Sequence, residues 1–188
     1  EIASADFHQL GFGEPVPISA THVEGVVTLM ERALEGFPLA EPGDEQTGDD
    51  GEIRVAVVGR PNVGKSSLFN RVYGERRAIV EDEPGTTRDR VEADVEWQDV
   101  RFRLIDTGGY ETDAENVYAP LIVEQIKTAM DGASVVLFCV DARDGLTASD
   151  YDMAEVVRRA NRPTLVVATK ADNERRELTG IAEASSLG

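Results

Sequence analysis

Gly59-Arg60-Pro61-Asn62-Val63-Gly64-Lys65-Ser66 is the stretch on which the reading of this chain turns. It satisfies the Gly-x4-Gly-Lys-Ser/Thr pattern in full, and its flanks are of the matching kind. Upstream, Val55-Ala56-Val57-Val58 predicts a buried strand, and downstream Ser67-Leu68-Phe69-Asn70 opens a helix. In such a strand–loop–helix unit the glycines let successive backbone N–H groups turn inward around phosphate oxygens. The helix N-terminus adds positive potential at the same place. Lys65 is then placed to reach β- and γ-phosphates, and the Ser66 hydroxyl to sit on Mg²⁺. A plain glycine turn between strand and helix would require neither residue. The candidate phosphate-binding set is Gly59, Asn62, Val63, Gly64, Lys65, Ser66 and Ser67.

The chain around this loop has 188 residues, enough for one domain with a real core and some spare length. Its formal net charge of -17 argues against a surface built to neutralise nucleic-acid phosphates. A nucleotide site is compatible with that charge, because N–H groups and one lysine set the field locally. The single cysteine, Cys139, can form no internal disulfide, so a reducing cytoplasm is expected. No apolar run approaches the ~20 residues of a membrane span, and no basic-then-apolar leader opens the sequence. No membrane partner is therefore expected. His8 and His22 stand too isolated to suggest a metal site.

Taken in order, residues 1–13 carry a weak helical signal, and Val16-Pro17-Ile18 reads as a short strand. Thr21 followed by Glu24 fits a capping box, and Val23, Val26, Val27, Met30 and Leu34 follow at helical spacing. Glu41, Asp44, Glu45, Asp49, Asp50 and Glu52 then fall in a stretch with no basic residue, the composition of a self-repelling linker. From Ile53 onward strands and helices alternate. Strands are expected at Val91–Trp97 and Arg101–Ile105 around a Gln98-Asp99 turn, then at Val135–Val140 and Thr164–Ala168. Helices are expected through Ile122, Ile126, Ala129 and Met130, and after the cap Thr147 as far as Pro163. Apolar strands between amphipathic helices indicate a P-loop NTPase three-layer α/β fold, a mostly parallel sheet with helices on both faces. Each candidate motif follows the carboxyl end of a strand, where ligands bind in such sheets.

Three further signals narrow the ligand. Asp106 ends a strand and is trailed by Gly109, so that its carboxylate can hold Mg²⁺ through water while the Gly109 N–H meets the γ-phosphate. Thr86-Thr87, in the glycine-containing loop Glu81 to Arg90, can supply a hydroxyl to the same Mg²⁺ that is released on hydrolysis. Thr169-Lys170-Ala171-Asp172, with Ser19-Ala20, is the base-reading pair. Asp172 can accept from both guanine N1–H and the exocyclic amine, which adenine cannot match. A buried carboxylate left unpaired by the wrong base can discriminate by roughly 10⁴-fold.

The phrases Gly59–Arg71, Pro84–Arg90, Leu104–Gly109, Val135–Asp150 and Leu10–Ala20 resemble the translation-factor-type GTPases. They are most similar to the first GTPase domain of the bacterial Der/EngA tandem proteins. The likeness covers nearly every element outside the acidic linker. It implies GTP and GDP as substrate and product, Mg²⁺ held by Ser66, Thr87 and Asp106, and a role in large ribosomal subunit assembly. It also implies a catalytic set of Lys65, Asn62, Thr87, Asp106 and Gly109. In relatives with a Pro-Asn-x-Gly-Lys loop the asparagine binds K⁺, so Asn62 points to K⁺ stimulation. Tyr110 stands where Ras-like proteins carry a water-orienting glutamine, so slow intrinsic hydrolysis is the expectation. The ribosomal subunit is a partner by resemblance alone.

Two departures from the family stand out. Thr169 replaces the usual asparagine and can make only part of its network; one or two lost bonds at ~0.5–1.5 kcal/mol each imply weaker guanine binding. The element order is also shifted. Residues 1–37 read as the C-terminal part of a G domain, 38–52 as the acidic linker, and 53–188 as the main body. A circular permutant closed by the linker accounts for this, and so does a slice of a tandem protein. The permutant is favoured because each motif occurs once and the linker can reach ~50 Å, more than a domain ~40 Å across requires. For the slice speaks a duplication: residues 177–188 and 1–11 both end in Leu-Gly. The two readings correspond to a monomer or a strand-swapped dimer.

Overall fold

A computed structural model describes residues 7–19, 24–39, 51–74, 91–107 and 126–171. Its strands in chain order are β1 (Val16–Pro17), β2 (Arg54–Val58), β3 (Val91–Trp97), β4 (Val100–Asp106), β5 (Val135–Asp141) and β6 (Thr164–Thr169). The helices are α1 (Val26–Ala33), α2 (Lys65–Gly74) and α3 (Ala148–Ala160), with residues 126–130 also helical. The strands form one sheet in the order β1-β6-β5-β2-β4-β3, in which only β3 runs antiparallel to its neighbour.

Alternation along the central strands explains why both faces are covered. Val55 and Val57 of β2, with Val135, Leu137 and Cys139 of β5, meet Leu29 and Met30 of α1 and Leu68 and Val72 of α2. The intervening Ala56, Val58, Val136, Phe138 and Val140 face the other way, against Ile126, Met130, Ala154 and Val157. Because successive side chains point to opposite faces, a fully apolar strand requires a helical layer on each side. The three-layer expectation holds.

The N-terminal segment is part of this core. Val16 and Ile18 join the α1–α2 face, and Phe7 and Leu10 join the α3 face. Val26, Leu29 and Met30 of α1 are fully buried, which contributes roughly 1.5–3 kcal/mol for each side chain. β1 itself is short, with Val16 opposite Val167 and Pro17 opposite Ala168. The strand is held by that pairing and by Val16 and Ile18, which share a core with the apolar face of α1.

Most expected elements appear within a residue or two of their anticipated ends. Gln98 and Asp99 form the β3–β4 turn with φ of 47° and 62°, the pair of left-handed residues a tight two-residue hairpin requires. Thr147 is the N-cap of α3, in a capping box with Asp150. The start of α1 is a correction. Thr21 lies outside the described residues, but the helix begins only at Val26, with Gly25 as its N-cap at φ 78° and no side-chain cap bond, and not behind a Thr21 cap. Glu24 instead forms an antiparallel bridge to Ser19. The reason is steric: a Cβ at position 25 would lie 2.2 Å from the Pro17 carbonyl oxygen, so only glycine lets the chain double back against β1.

Candidate functional site

The loop between β2 and α2 is shaped by close packing on its neighbours. A Cβ at Gly59 would lie 2.5 Å from the Cys139 carbonyl oxygen, and one at Gly64 would touch the Thr169 side chain at 3.6 Å. Asn62 takes a left-handed conformation at φ 63° and is exposed. Val63 is buried beneath the loop, whereas Ser66 and Ser67 are exposed in the first turn of α2. Lys65 is buried at 6% exposure, and its Nζ donates to the Arg60 carbonyl at 2.7 Å, spanning the loop.

Asp106 closes β4, whose register sets it opposite Val57 of β2, one residue before the strand's end. It is buried at 3% exposure. The donor set fits a magnesium–triphosphate: an exposed serine hydroxyl at a helix N-terminus, a carboxylate on the adjoining strand, and a glycine loop packed closely on the ends of β5 and β6.

At the other end of the site, Lys170 sits at φ 58° just past β6. Its Nζ donates to the Asn62 carbonyl at 2.7 Å and pairs with Asp141 Oδ2 at 2.6 Å. The Thr169 hydroxyl lies against two buried carbonyls, that of Val140 at 2.9 Å and that of Val63 closer still. Thr169 therefore does tie β6 to the phosphate loop, through the backbone of Val63. One hydroxyl hydrogen serves one carbonyl at a time, so the tie is thinner than a carboxamide could make.

The Ser19 corner lies beside this one. Ile18 donates its N–H to the Ala168 carbonyl at 2.8 Å, and Ala171 donates to the Ile18 carbonyl at 3.2 Å. Ser19 is buried at 2% exposure. The residue before Ser19 is thus bonded to the residue before Asp172, which brings the early and late corners together within one chain. Ala20, Thr87, Gly109 and Asp172 lie outside the described residues.

Sequence reasoning passed over Asp141 and Asp150, both buried at this site. Asp141 ends β5 in the same way that Asp106 ends β4, so a carboxylate closing an apolar strand was the available signal. Burial by itself would raise the Asp141 carboxyl. The bond from Lys170, with the N–H groups of Arg143 and Asp144, outweighs it and holds the group below the usual carboxylate range. Burial pushes the Cys139 thiol, at the back of the site, up to about 12.

Residues 54–170 match the family described as 50S ribosome-binding GTPase. The chain belongs to that family. Within it, this GTPase domain is of the Der type. It is 42% identical to GTPase Der of a Synechococcus species over 182 residues, which is 96% of this chain and 40% of the relative. It is 51% identical to GTPase Der of Alkaliphilus metalliredigens over 122 residues, 65% of this chain and 28% of the relative. The chain thus spans less than half the length of these curated relatives. Among solved structures, Era of Aquifex aeolicus bound to GDP·AlF4⁻ matches this GTPase domain with a TM-score of 0.51 and 32% identity. That match covers 71% of this chain and 46% of the Era chain. The Synechococcus match has to take in the N-terminal segment, the linker and the main body in one run, since 96% of the chain is covered.

Proposed function

We propose that the chain binds guanine nucleotides and hydrolyses GTP with Mg²⁺ and K⁺, and that it acts in large ribosomal subunit assembly as part of a longer tandem protein. The observation that carries the reading is Lys170 on the Asn62 carbonyl, which joins the base-reading corner to the phosphate cradle. In this reading Gly59, Val63, Gly64, Lys65 and Ser67 cradle the phosphates. Ser66, Thr87 and Asp106 hold Mg²⁺, which would neutralise charge between the β- and γ-phosphates. Asn62 holds K⁺, which would add positive charge at the bond that breaks. Gly109 meets the γ-phosphate, and Thr169, Lys170, Asp172, Ser19 and Ala20 enclose the base.

Three measurements test it. A labelled guanine nucleotide should be displaced by GTP and not by ATP; equal displacement removes the base assignment. Phosphate release should be slow in NaCl and faster in KCl. Bound GTP with no release in either salt turns the chain into a binding module rather than an enzyme. Co-sedimentation with large ribosomal subunits that fails in every nucleotide state would remove the ribosomal role.

We also propose that the segment order is that of a tandem protein and not of a circular permutant; what supports this is that one relative matches 182 residues, 96% of the chain. On this reading β1 comes from the end of one GTPase unit and occupies the slot beside β6 of the next. Gel filtration distinguishes the consequences: a monomer indicates closure within the chain, and a dimer indicates exchange of the segment before the linker between copies.

A further inference from the structure

One short segment, from the end of β5 to the first turn of α3, supplies three carboxylates directed at the two cations that flank the phosphate loop. Asp141 pairs with Lys170 at 2.6 Å, and Lys170 in turn bonds the Asn62 carbonyl. Asp150 Oδ2 takes Arg60 Nε at 3.3 Å, and Asp144 meets Arg60 Nη2 at 3.5 Å. The Arg60 carbonyl is the acceptor for Lys65 Nζ. Two points of the loop, Arg60 and Asn62, are thereby tied to a single piece of chain.

We infer that Asp141 and Asp150 are positioning residues that brace the phosphate loop against the base-reading lysine. The three carboxylates do not contribute equally. The Asp144 side chain is 63% exposed, and an ion pair so hydrated contributes little. Asp141 and Asp150 are 1% and 0% exposed, where a partner lost leaves a buried charge unpaired. Both are also fixed from behind. Asp141 Oδ1 receives the backbone N–H of Arg143 at 2.9 Å. Asp150 Oδ2 receives the Thr147 N–H at 2.8 Å and the Thr147 hydroxyl at 2.7 Å. Asp141 is thus held by backbone N–H groups through Oδ1 and offers Oδ2 to Lys170, whereas Asp150 uses the one oxygen, Oδ2, both for Thr147 and for Arg60; carboxylates fixed in this way preorganise a loop before ligand arrives. Neither carboxylate touches nucleotide on this account. Each acts through its cation, Asp141 through Lys170 and Asp150 through Arg60.

The inference rests on the guanine-nucleotide reading, and the test separates the two. Fluorescent GDP affinity and steady-state GTP turnover are measured on the full chain for Asp141→Asn, Lys170→Ala and their double variant, and for Asp150→Asn, Arg60→Ala and theirs. Asp141→Asn keeps an oxygen for the Arg143 N–H, so the turn survives. Affinity is expected to fall about tenfold, KM to rise with it, and turnover at saturation to stay within about twofold. In the Lys170→Ala background the same substitution should add little, because contacting residues couple. The Asp150 pair should behave likewise. If Asp150→Asn does not fold, Arg60→Ala carries that half, and its affinity must drop. Wild-type chain that binds neither GDP nor GTP removes the guanine reading. Wild-type chain that binds, with affinity unchanged in the single variants or losses that simply multiply in the doubles, removes the brace alone.

Discussion

Gly25→Ala, set against Gly36→Ala, tests whether the N-terminal segment is packed in the sheet as described. The two glycines have similar positive φ, 78° and 85°. An alanine in that region costs about 1–2 kcal/mol at either site. They differ in the space around them. At Gly36 a Cβ meets nothing within 4 Å, whereas at Gly25 it lies 2.2 Å from the Pro17 oxygen and 3.3 Å from Ile18 Cα. Both neighbours are backbone, so relief requires β1 to move away from α1. Overpacking of that kind costs about 1–3 kcal/mol more. Gly25→Ala should therefore lose about 2–5 kcal/mol and Gly36→Ala about 1–2. With a urea slope of about 2 kcal/mol per molar, the midpoints should fall by roughly 1–2.5 M and 0.5–1 M. GDP affinity should fall in Gly25→Ala alone, because the Ser19 corner moves with β1. Equal midpoints for the two variants, or unaltered GDP binding by Gly25→Ala, would refute the placement of β1 beside β6.

Other expectations follow from single contacts. Thr169→Val leaves the buried Val63 and Val140 carbonyls without their hydroxyl, a loss of about 1–3 kcal/mol. It should lower Tm by several degrees and weaken GTP binding, and an unshifted melt contradicts the tie. Asp172→Asn should move preference toward xanthine nucleotides; a variant that still selects GTP dismisses the contact. Cys139 is fully buried with its thiol pushed up to about 12. The folded chain should therefore resist iodoacetamide at pH 8 while the denatured chain labels readily, and comparable rates would place the thiol elsewhere. Asp141 has a folded pKa below its unfolded value near 3.9. It binds its proton less readily folded, so its contribution is complete above about pH 4 and lost as pH falls through the lower folded value. Urea midpoints of wild type and Asp141→Asn should converge on acidification below pH 4, and a gap that persists contradicts the assignment.

Local chemistry made much of this protein legible. The Gly59–Ser66 pattern, the apolar runs of β2, β5 and β6, and the Thr147 cap each depend on residues adjacent in sequence. Such residues set backbone conformation wherever the segment lies. The start of α1 was misjudged because Thr21 and Glu24 carry a valid local cap, while the deciding constraint at Gly25 comes from Pro17, eight residues earlier and folded back upon it. Asp141 and Asp150 were missed for a related reason. An aspartate at a strand end or in a first helical turn satisfies backbone N–H groups in any protein, and nothing near it in sequence names a cation as its second partner.

From the sequence alone came the family to which the chain belongs, since a phosphate-loop pattern is written in a few neighbouring residues. Which distant segments meet was decided only by the tertiary structure. Residues 16–18 lie along β6 because α1 has an apolar face to bury and the sheet has an edge to pair. Those demands are met through space, not along the chain. The same packing sets Arg60 against Asp150 and Lys170 against Asp141, so the grip on the phosphate loop is a property of the assembled sheet.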